Sequence, residues 1–381
     1  MPTSSLDRIR RCAAATSFWF VIAAPWSLGS RSVEAQEDSD VANQSDSEAE
    51  APESKLKVDL GGGITVLYDQ PIEEGKNKVE VFEARLRLDA EFDRFGIHVV
   101  PVFRDDRERG FHVGPIWVQE GYVFADLNPV TVKVGKVYAQ FGRFWDNSFV
   151  GNAHEYDGLK LDPNNGISVE GSIAPTAPVG LQFFAQYFVV DGVANYSLPG
   201  RDTVSIPGAR RRNQLVGRAE PFVEIGDITT LKLGLSGAFF QADIPALPEK
   251  QKVGRLAVDA TVMVERFLAF GEYSKQFGRH VTDFPFPGMA ATATTDAVPG
   301  RSANRIDYVL FGGEYTYDRF TLRFTFNQGN YKTVSYKESR YIPAFAVSLH
   351  EHLFALFEWA VLNTTTGGTS HELLLTIHGN V

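Results

Sequence analysis

The sequence predicts an all-β fold, a closed up-and-down antiparallel transmembrane β-barrel of about 16 strands. Three observations predict it. Apolar and polar residues alternate over segments of about 9 to 13 residues, short and long connections alternate between these segments, and an export signal precedes them. The chain has 381 residues, 44% of them hydrophobic, and a mean hydropathy of −0.15. Its apolar residues are therefore interleaved with polar ones and are not gathered into several spanning helices.

The strand pattern is clearest from Phe82 to Phe92, FEARLRLDAEF, in which even positions are apolar and odd positions are charged. A helix would scatter these charges around its circumference, whereas a strand places them on one face. Looser forms of the same alternation give sixteen candidate strands. They are 57–68, 78–91, 94–104, 116–126, 130–140, 166–173, 179–190, 213–225, 230–241, 253–264, 267–277, 306–317, 320–330, 334–347, 352–361 and 370–378.

The connections between the candidate strands are short at one end of the sheet and long at the other. The long ones are 105–115, 141–165, 191–212, 242–252 and 278–305. Antiparallel neighbours joined in this way form an up-and-down sheet, and closure removes its unpaired edges. The sequence therefore predicts a barrel with tight turns at one rim and large loops at the other.

The size of the barrel indicates which face of its wall contacts water and which contacts lipid. Sixteen strands enclose a lumen too wide for side chains to fill, so the apolar face must point outward into lipid. A base at the lipid-facing midplane costs about 2 to 4 kcal/mol, so we expect the bases of the polar faces to line the pore. These bases are Arg85, Arg87, Lys133, Arg218, Lys232 and Arg323. Lys136 breaks the parity of its strand, which a bulge at Gly135 would explain.

The N-terminal region predicts export. Residues 1–35 read as a signal peptide, with three arginines before an uncharged stretch and a cleavage site after Ala35. An uncleaved anchor helix is the alternative. Residues 36–54 are acidic and hold no aromatic residue, which predicts a disordered linker. Residues 55–381 are the predicted barrel, and we expect them in the cell outer membrane.

Several other classes of function are disfavoured. The net charge of −10, from 37 bases and 47 acids, disfavours nucleic acid as a partner. No Gly-x-Ser-x-Gly, His-Glu-x-x-His or Gly-x-x-x-x-Gly-Lys motif occurs, so we expect neither an enzyme nor a cofactor. His350 and His352 have metal-ligand spacing, but a predicted tight turn holds them without a third ligand nearby, so we predict no metal site.

The stretch from Asn128 to Phe149, NPVTVKVGKVYAQFGRFWDNSF, resembles phosphate-selective porins of the polyphosphate and phosphate porin family. The resemblance implies a sixteen-stranded, homotrimeric outer-membrane pore in which one loop folds into the lumen and inward bases attract anions such as phosphate. Over the matching stretch it implies that Lys133 and Lys136 are pore-wall bases. It also implies that Arg143 begins a constriction loop, 141–165.

Two departures from the family pattern leave the selectivity open. The chain ends in Leu-Leu-Leu-Thr-Ile-His-Gly-Asn-Val, without the family's terminal Phe. The predicted constriction loop carries Asp146, Glu155 and Asp157 beside Arg143, so a general or sugar-passing porin fits as well as a phosphate-selective one.

A basic cluster, Arg210, Arg211 and Arg212, lies at the end of the long connection 191–212 and predicts an anion-collecting outer mouth. The alternatives are a solvated loop and a loop that bridges lipopolysaccharide phosphates. We expect a porin for passive diffusion of small hydrophilic solutes or ions. A structural or adhesive barrel, with ligand-binding loops 191–212 and 278–305, is the other hypothesis.

Overall fold

The computed structural model describes most of the chain from Leu56 onward. The described residues are 56–71, 78–103, 116–143, 164–174, 178–190, 195–197, 205–207, 210–226, 228–243, 250–278, 306–332, 336–365 and 368–380. The predicted signal peptide and linker lie outside this part of the chain. Within it, no helix is long and apolar enough to cross a membrane.

The described residues form strands joined by turns. The first nine strands are β1 (Lys57–Pro71), β2 (Lys78–Phe92), β3 (Phe95–Phe103), β4 (Ile116–Asp126), β5 (Val130–Val137), β6 (Asn164–Ile173), β7 (Val179–Val190), β8 (Asn195–Ser197) and β9 (Ser205–Pro207). The others are β10 (Arg210–Ile225), β11 (Thr229–Asp243), β12 (Gln251–Val264), β13 (Phe267–Gly278), β14 (Ile306–Tyr317), β15 (Phe320–Tyr331), β16 (Tyr336–His350), β17 (Leu353–Thr364) and β18 (Gly368–Asn380).

All the long strands join one closed antiparallel barrel. Each pairs with its neighbour along the chain, and β7 pairs directly with β10. The first and last strands complete the ring, with a register that runs from Gly63↔Asn380 to Pro71↔Glu372. The prediction of a closed antiparallel barrel of about 16 strands is confirmed. A small hairpin of β8 and β9 lies apart from it, inside the predicted loop 191–212.

Two strand boundaries differ from the prediction in ways that matter for the interior. β5 ends at Val137 and not at residue 140, because the next residues leave the wall and pack inside the barrel. β10 begins at Arg210, so the predicted basic cluster belongs to a wall strand and not to the preceding loop. Alternation alone cannot place such ends, since it continues past Val137 and is absent from the all-polar residues 210–214.

Three of the tight turns share an acid followed by an arginine: Asp93-Arg94, Glu265-Arg266 and Asp318-Arg319. In each, the acidic residue has a positive φ, between 50° and 55°. Asp tolerates this left-handed conformation better than most residues. The same conformation gives the tight turn that a two-residue hairpin needs. Both chain ends of the barrel lie at this turn rim, because an even number of strands returns the chain to its starting side.

The two faces of the wall have opposite polarity. Large apolar side chains are exposed on the outer face, among them Leu86, Leu322 and Leu256 at 65%, 58% and 55%. The alternate residues face inward and include many polar and charged side chains that are buried, such as Thr325 and Glu358. A water-soluble barrel has the reverse arrangement, with its apolar face inside.

The predicted bulge at Gly135 is wrong. The register of β5 runs through this residue without a shift on both sides, from Asp126↔Thr131 to Gly121↔Lys136 and from Val130↔Gly171 to Val137↔Asn164. Gly135 instead has a φ of +142°, and a Cβ there would lie 2.3 Å from the Gly121 carbonyl oxygen.

Because the alternation is unbroken, Lys136 lies on the outer face together with Val134. Lys133 and Val137 lie on the inner face. Its Nζ donates to the carbonyl oxygen of Val118, 2.6 Å away. Val118 lies beyond the last residue pair between β4 and β5. The lysine thus takes the place of a backbone donor where β5 has left the wall.

Candidate permeation pathway

A short stretch of chain, Tyr138–Arg143, lies inside the barrel, and we call it the inward segment. The backbone N–H of Gln140 donates to Oε1 of Gln186 on β7 at 2.7 Å. The N–H of Gly142 donates to Oγ of Ser236 on β11 at 3.0 Å. In the ring, β11 lies four strands from β5, where the segment begins, and only an element in the interior can reach it. These contacts therefore identify the inner face.

The end of the inward segment is fixed to two more strands. The N–H of Arg143 donates to the carboxylate of Glu272 on β13. Its Nη1 donates to Oγ1 of Thr261 on β12 at 2.6 Å, and its guanidinium carbon lies 4.9 Å from the centroid of the Phe270 ring. Gly142 has a φ of +60°, and a Cβ there would lie 2.6 Å from both Glu272 oxygens, so only glycine fits.

An apolar cluster inside the barrel holds the inward segment against one side of the wall. Ala139 and Phe141 are fully buried in it. Its other buried members come from β5, β7 and β10 to β14: Val137, Phe188, Val216, Ala238, Ala257, Phe270, Ile306, Tyr308 and Leu310. Side chains of the described residues therefore fill this side of the interior.

Four of the bases predicted to line the pore lie on the inner face and are paired with acids. Lys133 Nζ lies 2.5 Å from Glu170 Oε1. The remaining pairs are Arg218 with Asp259 and Glu220, both at 2.5 Å, Lys232 with Glu220 at 3.3 Å, and Arg323 with Glu314 at 2.7 Å. Except for the half-buried Lys232, these bases are largely buried, so each positive charge is compensated next to the wall.

The other two predicted bases, Arg85 and Arg87, lie on β2 and are far more open. Their side chains are 44% and 45% exposed. Arg85 pairs with Glu83, and Arg87 pairs with Asp59 at 2.5 Å and with Asp89 at 3.1 Å. In the ring of strands, β2 is eight strands from β12 in either direction, so these arginines face the anchor of the inward segment across the barrel.

Sequence reasoning missed most of the acids that compensate these bases. Glu83 could have been found, since it lies two residues from Arg85 and so shares its face. Asp259 and Glu170 could not, because their pairing depends on the register between strands. It also missed Arg255, which is 1% exposed, donates from Nε to Gln276 at 2.8 Å and lies over the ring of Phe240.

The other predicted site residues have mixed outcomes. Asp146, Glu155 and Asp157 lie outside the described residues. Arg211 is buried on the inner face, whereas Arg212 points outward and pairs with Asp243 at 2.8 Å. The rings of His350 and His352 are 5.7 Å apart, and no metal-binding group of three His, Cys, Asp or Glu residues occurs among the described residues.

Comparison with known proteins identifies the fold. No protein-family model matches the chain, and no curated protein matches it in sequence. Solved structures do match over nearly their whole length. A loop L8 deletion mutant of OmpT, an outer membrane protein of Vibrio cholerae, has 12% identity and a TM-score of 0.57, covering 86% of this chain and 99% of that one.

Two more solved structures agree. An anion-selective porin from Comamonas acidovorans has 12% identity and a TM-score of 0.56, covering 86% of this chain and 100% of that one. OmpF of Salmonella typhi, in complex with daunomycin, has 11% identity and a TM-score of 0.59, with coverages of 85% and 97%. This chain shares their barrel fold. At such identities the likeness shows the fold alone.

The anchoring of the inward segment gives a direct prediction. Replacing Glu272 with alanine removes the acceptor of the Arg143 amide, and a hydrogen bond to a charged group contributes about 1.5 to 3 kcal/mol. We expect the amides of Gly142 and Arg143 to exchange with deuterium roughly 10- to 100-fold faster. Glu314→Ala is the control, because Glu314 pairs with Arg323 away from the segment. Unchanged exchange in Glu272→Ala would show that this carboxylate does not hold the segment.

Proposed function

We propose that this protein is an outer-membrane porin, a water-filled channel for passive diffusion of small hydrophilic solutes or ions. The observation that carries the proposal is the polarity of the closed barrel, whose outer face is apolar and exposed while the polar and charged side chains of its strands face inward. In lipid every backbone group needs a partner, and a closed ladder provides one. The fold shared with solved porins supports the same function.

The orientation of the barrel in the membrane follows from the predicted signal peptide and from the rim at which the barrel begins and ends. The predicted signal peptide would deliver the N-terminus to the periplasm, and both ends of the barrel lie at the turn rim. The tight turns would therefore face the periplasm and the long connections the exterior. Localisation in the outer membrane rests on this reasoning and on the apolar outer face.

The proposed path runs along one side of the lumen. The inward segment and its apolar cluster fill the side formed by β7 and β10 to β14. Arg85 and Arg87 project from the opposite side, where their side chains remain accessible. Such a passage is narrower than the barrel itself, which supports sieving of small solutes by size and charge.

The charge pairs argue against a strongly anion-selective pore. A row of uncompensated bases would attract phosphate, but each of the six inner-face bases predicted to line the pore has a carboxylate beside it. We therefore propose a general porin with weak ion selectivity, for which phosphate would be one solute among several. The exposed Arg85 and Arg87 would supply the main attraction for anions.

Four short neighbouring strands support a homo-oligomer. β3 to β6 hold 8 to 11 residues each, whereas the other barrel strands hold 12 to 16. Eight residues tilted by about 45° span only about 19 Å, less than the apolar band of about 25 Å. An outer groove of about 500 Å³ on β2 to β5 is lined by Phe92, Phe95, Ile97, Val123 and Val134, among others.

A second copy of the chain would cover this low, apolar stretch, and we propose the trimer that the family resemblance implies. The structure of OmpT from Vibrio cholerae described as a trimer form has the same fold, with 10% identity over 86% of this chain and a TM-score of 0.54.

Planar-bilayer recording tests the channel itself. Folded protein added to a neutral bilayer should produce discrete, lasting conductance steps, because the proposed path would carry ions through the lumen. The control is the same protein after boiling in detergent, which should give none. Correctly inserted protein that stays silent would overturn the porin and favour the structural or adhesive barrel.

Selectivity gives a second prediction. Under a tenfold KCl gradient, paired charges should hold the reversal potential closer to zero than to the limit of about 59 mV of either sign. Arg85→Gln combined with Arg87→Gln should shift it toward cation preference, since two accessible positive charges are lost. Lys136→Gln on the outer face is the control and should leave the potential unchanged. A wild-type potential near the anion limit would contradict the charge-paired pore.

A further inference from the structure

The outer face carries a band of bases near the loop rim, and we call it the basic belt. It runs along the arc from β10 to β16. Its members are Arg212, Lys252, Lys275, Lys332 and Lys337. On the same arc and face the described residues include two acids, Asp243 and Asp307, which pair with Arg212 and Lys332. The described part of this arc therefore carries a net positive charge.

Strand registers place the belt on the outer face in two rows. Gln241 pairs with Arg212 on one side and with Lys252 on the other. Further round, Lys275 pairs with Asp307, which pairs with Asn330, which in turn pairs with Lys337. Three strand spacings separate the two lysines of this row, or about 14 Å.

Their parity is fixed by exposed apolar neighbours on the same strands. Lys275 lies between Tyr273 and Phe277, which are 47% and 41% exposed, and Lys337 alternates with the exposed Tyr341. A bulge in β10, where Asn213 has a φ of 49°, gives Arg212 the same outward direction. The belt therefore points away from the pore.

The belt sits at the upper border of the apolar outer face. Tyr187 donates to Asn213 at 3.0 Å, and Asn213 donates to Gln241 at 3.4 Å, so neutral polar groups fill the same level. Below it the outward residues are apolar, as at Leu215 and Val309. This is the level at which lipid headgroups meet a membrane barrel.

The opposite rim is different. Each of the three arginines in its two-residue turns, Arg94, Arg266 and Arg319, directly follows an acid. These turns are therefore neutral overall. A positive arc at one rim and neutral turns at the other distinguish the two leaflets.

We propose that the basic belt binds phosphate-bearing lipid headgroups of the leaflet that surrounds the loop rim. This inference rests on the proposed outer-membrane location. Bases near an anionic leaflet each contribute attraction, and a belt that extends over several strands at headgroup height suits a lipid surface. The belt also lies on the side of the barrel away from β3 to β6, so it stays in contact with lipid if the low wall is covered by another copy.

Three lysines allow a clean test, because Lys252, Lys275 and Lys337 make no salt bridge within the described residues. Wild type and the triple variant Lys252→Gln, Lys275→Gln, Lys337→Gln are titrated in neutral detergent with lipid A, which carries two phosphates, and binding is followed by native mass spectrometry. The variant should bind on the order of 100-fold more weakly. The matched control, Arg94→Gln, Arg266→Gln, Arg319→Gln, should bind as wild type does.

Dephosphorylated lipid A separates the headgroup from its acyl chains. Wild type should bind it as weakly as the triple variant binds the phosphorylated form. Equal binding of the two lipids by wild type, or equal losses in the lysine variant and the control, would overturn the proposal. Conductance in neutral bilayers is measured in parallel. Normal conductance steps without a preference for phosphorylated lipid A would reject lipid binding by the basic belt and leave the porin proposal standing. A preference for phosphorylated lipid A without conductance steps would reject the porin proposal and support the basic belt.

Discussion

The rest of the structure depends on the hydrogen bonds that join β1 to β18. This register, from Gly63↔Asn380 to Pro71↔Glu372, turns a long antiparallel sheet into a ring without an edge. A ring of sixteen strands is too wide for its own side chains to fill. The interior must therefore contain water, additional chain or both, and apolar residues that the additional chain does not cover must face outward. The polarity of each strand follows from closure.

Part of the wide interior is filled by the chain itself. β5 ends early, and the inward segment carries Ala139 and Phe141 into the interior, where they are fully buried against the wall. The wall is consequently low at β5, and Lys136 donates to the Val118 carbonyl oxygen beyond the end of this strand. One departure from the ladder thus explains the chain packed inside the barrel, the low wall at β5 and the position of an outward lysine. Charges that remain inside are compensated by pairs such as Arg218 with Asp259.

The sequence predicts those features that depend on local alternation. Period-two patterning located the sixteen barrel strands, and it gave Arg85, Arg87 and Arg323 their common face, because parity is a property of one strand. Features that depend on register were not predictable. The partners of Arg218 and Lys133 lie on other strands, and nothing within one strand reveals which residue lies opposite.

Alternation also misleads where a chain continues its pattern in a new setting. Val137, Ala139 and Phe141 keep the spacing of β5, so the strand was predicted to reach residue 140. The side chains of these three residues in fact belong to the interior apolar cluster. At Gly135 a break in the alternation was predicted where none occurs, because a bulge would have placed Lys136 on the same face as the inner bases. The unbroken register instead leaves it on the outer face.

Cysteine accessibility along β2 tests the central claim, that polar faces line a wet lumen and apolar faces contact lipid. The only cysteine, Cys12, lies in the predicted signal peptide, so single cysteines can be placed at Arg85, Leu86, Arg87 and Leu88. In reconstituted channels, a charged thiol reagent should react at the two arginine positions and reduce the current, and should spare the two leucine positions. Reaction at the leucine positions instead, or equal reaction at all four, would contradict the account.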